Sequence, residues 1–296
     1  MDDASQDTTL TTESRDEVRA TMPDTRVLRV AVTALTTVTP LAKVGRAAEV
    51  EFAERGVTIR VLDGWSCVLA ELSMPAAALR EYLFAGGSAP QAVGLDVRDM
   101  QRALQGVRDD DTVSLALAAR GDGAGGDRDA RLLCLRVVSR DGTMRASIAL
   151  PRAAGLDAHL VAVPAPLPPL TAVTSARSWQ LAIDMLSVAA GDAAGPYTYM
   201  DVDVDERAVS ISLAGGDGAD GRSAFATLPA HVYCEMPLRQ RLLLARYLCQ
   251  PAPFADIAVN DTLLLYLTPD RPAQLRYPLG DMGDVVLHLG QRHPMG

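Results

Sequence analysis

Long apolar runs are missing from this 296-residue sequence. No stretch approaches the ~18 to 20 unbroken apolar residues of a membrane-spanning helix. The first 25 residues are polar and acidic, with no basic start followed by an apolar stretch. Neither a membrane protein nor a secreted precursor is expected. Cysteine is scarce and scattered: Cys67, Cys134, Cys234 and Cys249 form no CxxC pair, and no histidine is spaced to complete a zinc site. Neither a disulfide framework nor a metal finger is supported, and a reducing, intracellular compartment fits best. Aromatic residues make up 4% of the chain and arginine stands almost everywhere in place of lysine, the usage of a GC-rich genome. What is present is 48% apolar residues against 22% charged, enough to build a core in each of about two domains at ~150 residues per domain.

The net charge of −9 opposes a nucleic-acid partner on its face, because phosphate binding needs Lys and Arg to displace counterions. Its distribution weakens that objection. Residues 1–25 hold seven acids against two arginines, Arg15 and Arg19, so over half of the deficit sits in the leader. Rich in Thr, Asp and Ser and without apolar periodicity, residues 1–25 are expected to be a disordered acidic leader.

From Val27 onward, Leu28, Val30 and Val32 alternate with Arg29 and Ala31, which predicts a half-buried strand and then a short helix. Strands follow at Ala48 to Phe52, Val57 to Asp63, Cys67 to Ser73 and Ala92 to Leu95, parted by turn formers such as Arg55-Gly56. Val97 to Val107 carries Val97, Met100, Ala103, Leu104 and Val107 at helical spacing, with a partly basic opposite face. Strand patterns resume at Thr112 to Leu117, Leu132 to Val138 and Thr143 to Leu150. Five prolines between Pro151 and Pro169 predict an extended linker. Beyond it the order repeats at an offset of about 140 to 150 residues. Leu170 to Val173 and Ser175 to Leu186 give strand then helix; Glu235 to Met236 and Leu238 to Gln250 give strand then amphipathic helix; Asp261-Thr262 opens a strand as Asp111-Thr112 does. A duplicated α+β domain is predicted, with two helices and eight or nine strands per copy, mostly antiparallel because the connections are too short for crossovers.

An enzyme needs a constellation of groups, and none assembles. His159, His231, His288 and His293 are scattered, with no nucleophile context nearby. Asp201, Asp203 and Asp205 alternate with Val202 and Val204; a solvated face opposite a valine face is favoured over a metal site. The glycine-rich stretches 121–126 and 215–221 lack the residues that complete a phosphate loop. No cofactor, no metal and no catalytic residue are expected, and a binding or scaffolding protein is the leading class.

Five segments in order then carry a resemblance. They are Gly56-Val-Thr-Ile-Arg-Val-Leu-Asp63, Cys67-Val-Leu-Ala-Glu-Leu72, Ala92-Val-Gly-Leu-Asp-Val-Arg-Asp-Met-Gln-Arg-Ala-Leu104, Leu244-Ala-Arg-Tyr-Leu248 and Leu275-Arg-Tyr-Pro-Leu-Gly-Asp-Met-Gly283. Together they resemble the proliferating cell nuclear antigen (PCNA) family of sliding clamps, from about Val27 to Arg292. The resemblance implies an α+β DNA-clamp fold of two similar domains, each with two helices and two mostly antiparallel sheets, forming a closed ring. The implied layout is a leader at 1–25, a first clamp domain at 26–150, an interdomain connector at 151–169, a second clamp domain at 170–292 and a tail at 293–296.

The function it implies is that of a DNA polymerase processivity factor in replication and repair. A homotrimeric ring would encircle double-stranded DNA without reading sequence, and would work with a polymerase and a clamp loader in the nucleus or a viral replication compartment. Sliding calls for cations facing phosphate. Arg98, Arg102 and Arg108 on the second helix of the first copy and Arg239, Arg241 and Arg246 on that of the second are expected to supply them, with Lys43 and Arg46 adding charge near the first helix. That charge is thin, since Thr36, Thr37, Thr39 and Asp184 stand where basic residues are usual. Ring closure is expected between edge strands, through Thr143, Met144, Ala146 and Ile148 on one side and Val209, Ile211 and Leu213 on the other. A pocket for PCNA-interacting-peptide-type ligands is implied at Leu62, Cys67, Val161, Val163, Pro164, Pro272, His288 and Gly290. His288 there replaces the usual aromatic residue. The same-fold alternatives are a checkpoint-clamp subunit or a monomeric viral processivity factor; the different-class alternative is a metal-dependent enzyme using the Asp201, Asp203, Asp205 face.

Overall fold

Two runs of elements in nearly the same order make up the chain in a computed structural model. It describes residues 18–38, 47–63, 68–85, 89–119, 131–151, 169–190, 197–213, 224–234, 237–245, 254–268 and 271–290. The first run is β1 (Val18–Thr21), α1 (Thr25–Thr37), β2 (Ala47–Ala53), β3 (Gly56–Leu62), β4 (Val68–Pro75), β5 (Glu81–Leu83), β6 (Gln91–Asp96), α2 (Val97–Gln105), β7 (Thr112–Ala119), β8 (Arg131–Val138) and β9 (Arg145–Leu150). The second is β10 (Ala172–Ser175), α3 (Ala176–Ala190), β11 (Tyr197–Asp205), β12 (Ala208–Leu213), β13 (Phe225–Val232), β14 (Leu238–Ala245), α4 (Phe254–Ile257), β15 (Thr262–Tyr266), β16 (Ala273–Pro278) and β17 (Asp284–Leu289). The fold is α+β, and every pairing among the described strands is antiparallel.

Sequence periodicity misplaced two segments. The expected strand at Val27 to Val32 is part of α1, because Leu28, Ala31, Val32 and Leu35 form one fully buried stripe at helical spacing. Asp24 caps that helix, its carboxylate accepting the Val27 N–H at 3.0 Å. The true strand lies upstream, inside the presumed disordered leader: Val18, Ala20 and Thr21 of β1 are buried between β5 and β7. The expected helix at Leu238 to Gln250 begins as strand β14, with Gln240 and Leu242 buried and Arg239 and Arg241 turned to the opposite, exposed face. Its leucines satisfy period 2 as well as period 3.6, and pairing with β11 decides between them. Residues 246–253 lie outside the described residues, as do most of the proline-rich connector and the two glycine-rich stretches.

The sheets are not divided between the halves as expected. One sheet of five strands, ordered β5-β1-β7-β8-β9, belongs to the first half. A second, of twelve strands ordered β14-β11-β12-β13-β10-β15-β16-β17-β4-β3-β2-β6, runs through both. The crossing point is β17 against β4, from Asp284 opposite Ser73 to Leu289 opposite Val68. Gly283 makes this seam possible: at φ 120° a Cβ there would stand 1.9 Å from the Ser73 carbonyl oxygen. The helices form a row in which α2 touches α1, α1 touches α4 across the seam, and α4 touches α3. One apolar cluster, from Leu28 and Phe52 to Phe254 and Leu287, continues through both halves.

Candidate functional site

The repeat can be aligned residue by residue. Asp111 precedes β7 as Asp261 precedes β15; Leu115 faces Leu135 and Leu265 faces Leu275; and Leu135 then faces Ile148 where Leu275 faces Leu287. Strand β9 is therefore the counterpart of β17. Likewise Thr58 faces Ser73 and Ser210 faces Thr227 at the same step from their hairpins, so β13 corresponds to β4. In the helices, Leu28, Ala31, Val32 and Leu35 of α1 match Trp179, Ala182, Ile183 and Leu186 of α3, all buried.

Inside the chain these counterparts close on each other, and elsewhere, among the described residues, each keeps one side open. Among those residues strand β9 pairs only with β8, and the segment of β13 matching the seam side of β4 pairs only with β12. Leu287 in the seam is 2% exposed, whereas its counterpart Ile148 is 38% exposed. Phe225 on β13 is 77% exposed. The helices repeat the pattern. Ala34 of α1 is fully buried, while α3 presents Leu181, Met185 and Val188 at 61%, 63% and 81% exposure, one row at i, i+4 and i+7. Met185 is the counterpart of Ala34. Each open end thus combines a helix with an edge strand, α2 with β9 and α3 with β13.

One expected assembly segment is thereby corrected. Strand β12 is no edge, since β11 and β13 cover both its sides, and Val209 and Ile211 are fully buried. Leu213 ends the same strand. The side left open among the described residues is that of the first part of β13, since β10 joins this strand only from Ala230 onward. On the other side Thr143 and Met144 are exposed just before β9, and Ala146 and Ile148 lie on it. Sequence reading passed over the α3 row, although its spacing was visible.

The expected DNA-facing cations separate into groups. Arg98 and Arg102 lie on α2 and Arg108 lies on the loop after it. Arg102 pairs with Asp99 one turn back. Arg239 and Arg241 sit on a strand, not a helix, and are held by Asp201 of β11. Arg241 donates from Nε at 2.6 Å and from Nη2 at 2.7 Å, and Arg239 from Nη2 at 3.2 Å. The hydrogen bonds from Arg241 hold the buried Asp201 carboxyl below its usual range despite the opposing effect of burial. The expected helix position of the two arginines is thus corrected to a strand on which both pair with that carboxylate, and Arg239 also reaches Asp203 at 3.5 Å, so guanidinium groups engage both Asp201 and Asp203. Among the described residues no three His, Cys, Asp or Glu side chains converge as metal ligands. Lys43, Arg46 and Arg246 lie outside the described residues.

Of the expected peptide pocket, the structure aligns Leu62, Leu69 and His288 across three adjacent strands, with Gln274 beyond. Pro272 and Gly290 flank the Ala273 and Leu289 pair that follows. Cys67, Val161, Val163 and Pro164 lie outside the described residues. Beside this row is an ion cluster missed by sequence reading: Arg60 reaches Glu71 at 2.9 Å, Glu51 at 3.1 Å and Glu49 at 3.2 Å. A groove of about 400 Å³ lies by the β2–β3 turn, between Glu51, Gly56, Thr58, Ser73 and Met74, and touches none of the expected pocket residues.

Comparison of the sequence with models of known protein families and with curated proteins gives no match. Among the described residues no helix is long and apolar enough to cross a membrane.

Proposed function

We propose that this chain is a PCNA-like processivity clamp. Copies of it would associate head to tail into a ring around double-stranded DNA and tether a polymerase, with a clamp loader to place it. The carrying observation is the seam. The chain already joins a β17-type edge to a β4-type edge, and the counterparts β9 and the first part of β13, each paired on one side only among the described residues, are the same two kinds of edge. Transferring the seam's register places Arg145 opposite Thr227, Ala146 opposite Ala226, Ser147 opposite Phe225 and Ile148 opposite Ala224 of the next copy. The same step brings α2 of one copy over Leu181, Met185 and Val188 of another, and burying each such side chain is worth ~1.5 to 3 kcal/mol. Three domain pairs repeated around an axis give a closed ring if the rotation closes, and an open chain otherwise.

The reading is non-enzymatic, with Arg98, Arg102 and Arg108 facing phosphate and a peptide ligand seated across Leu62 and His288. Location in a nucleus or a viral replication compartment follows from it. Mass in solution by light scattering tests it. Three-fold mass supports the homotrimer, one-fold mass favours a viral-type monomer, and a complex formed only with a second chain favours a checkpoint-type subunit. Retention on circular DNA, lost on linearisation, tests encirclement; the Arg98→Ala and Arg102→Ala double variant is expected to load less well while keeping its fold.

A further inference from the structure

His288 lies in β17, within the seam, and is only 5% exposed. Neither Nδ1 nor Nε2 finds a hydrogen-bond partner among the described residues, an unusual state for a buried polar group. Leu69 of β4 stands opposite it on one side and Gln274 of β16 on the other. The charged groups acting on it are Glu71 from β4, Arg60 from β3 and Arg276 from β16. Arg60 is bound by Glu49, Glu51 and Glu71, and Arg276 by Asp284 at 3.4 Å. A proton on His288 would therefore create a cation among two existing guanidinium groups. The anion that acts on it among the described residues, Glu71, is already engaged by Arg60.

We propose that His288 makes the seam between the two halves acid-responsive: uptake of a proton there loosens the pairing of β17 with β4. Burial is the largest influence on this imidazole and holds it in the neutral form below its usual range. The sign follows from linkage. Stability supplied by the seam is complete above about 6.5, the ordinary imidazole value, and drains away as pH falls through it towards the lower folded-state value. The property is confined to the internal joint, because the matching position on β9 is Ala149. It does not rest on the clamp reading, since both strands belong to one chain.

Hydrogen exchange of the backbone amides of 68–73 and 284–289, corrected for intrinsic rates, tests the proposal between pH 7.5 and 5. The expected result is a roughly tenfold rise in seam exchange at the acid end for each unit by which the imidazole is displaced. That rise should vanish in both His288→Gln and His288→Leu. No rise in the unmodified chain, or an equal rise in the variants, overturns the proposal. Should both variants fail to fold, NMR titration of the unmodified chain decides, and a His288 that takes up its proton at or above about 6.5 overturns it. Mass recorded at each pH separates seam opening from any change in association.

Discussion

The seam inside the chain and the open edges at its ends are built from the same strands and helices, yet they are finished differently. In the seam, β17 and β4 meet over six paired residues, Gly283 lets the Ser73 backbone approach closely, and α4 covers α1. At the ends, the equivalent strands carry Ile148 and Phe225 exposed, and the α3 counterpart of buried Ala34 is the exposed Met185. A chain that meant its ends to stay apart would be expected to blunt them with charge, proline or bulges. Here Ala146 to Ala149 of β9 are small or apolar and only Arg145 is charged, while the Phe225 to Leu228 part of β13 has no Asp, Glu, Lys or Arg and its proline, Pro229, comes after that part. The difference teaches where apolar surface is left exposed among the described residues.

The largest effect is expected from Gly283→Ala. The added Cβ meets backbone and the positive φ is strained for any other residue, so a loss on the order of 3 to 5 kcal/mol is expected in equilibrium denaturation. A loss below about 1 kcal/mol would mean that the seam is looser than its geometry.

Next comes a paired measurement on the counterparts. Leu287→Ala should cost about 2 to 5 kcal/mol by leaving a cavity, and Ile148→Ala less than about 1 kcal/mol in the isolated chain, because that side chain is already part exposed. Equal costs would abolish the distinction between seam and edge.

Association should respond in the opposite sense. Met185→Glu and Ile148→Asp should each weaken self-association at least about tenfold, the equivalent of one lost apolar side chain. Thermal unfolding of the single chain should stay unchanged. Sedimentation over a concentration series reads the first quantity and calorimetry the second; an unaltered mass distribution in both variants would remove the edges from the assembly surface.

The smallest effect is expected at Arg241→Ala, about 1 kcal/mol, since the arginine is half exposed and solvent screens the pair. Asp201 is held ionised, so its share of stability is present above about 3.9 and is lost as pH falls through and below that value. The variant should therefore lose less than the parent chain on acidification below pH 4, which denaturation at pH 6 and pH 3 will show.

Much of the architecture was present in local pattern. Val97, Met100 and Leu104 at helical spacing, and the alternation through β3, β4, β7 and β8, are requirements of burial that no tertiary contact needs to supply. The duplication was likewise readable from element order and from the paired openings Asp111-Thr112 and Asp261-Thr262. Where a segment fitted two periods, as Val27 to Val32 and Leu238 to Ala245 do, only the neighbouring strands and helices settled it. The leader misled for a related reason: four residues of β1 are too few to stand out in an acidic, Thr-rich stretch, and their stability comes from β5 and β7 on either side.

Site residues divided along the same line. Composition and spacing determined which side chains are apolar, charged or titratable, but partners far apart in sequence determined what those side chains do. Arg241 is turned from a free cation into the mate of Asp201, forty residues away; Val209 and Ile211 are interior because β13 returns alongside β12; and His288 is buried because β4, from the other half of the chain, lies against β17. The sequence by itself determined the elements and their repetition, since these follow from the local periodicity of burial. Which edges meet and which remain open was decided only by the tertiary structure, because pairing joins residues that no local pattern relates.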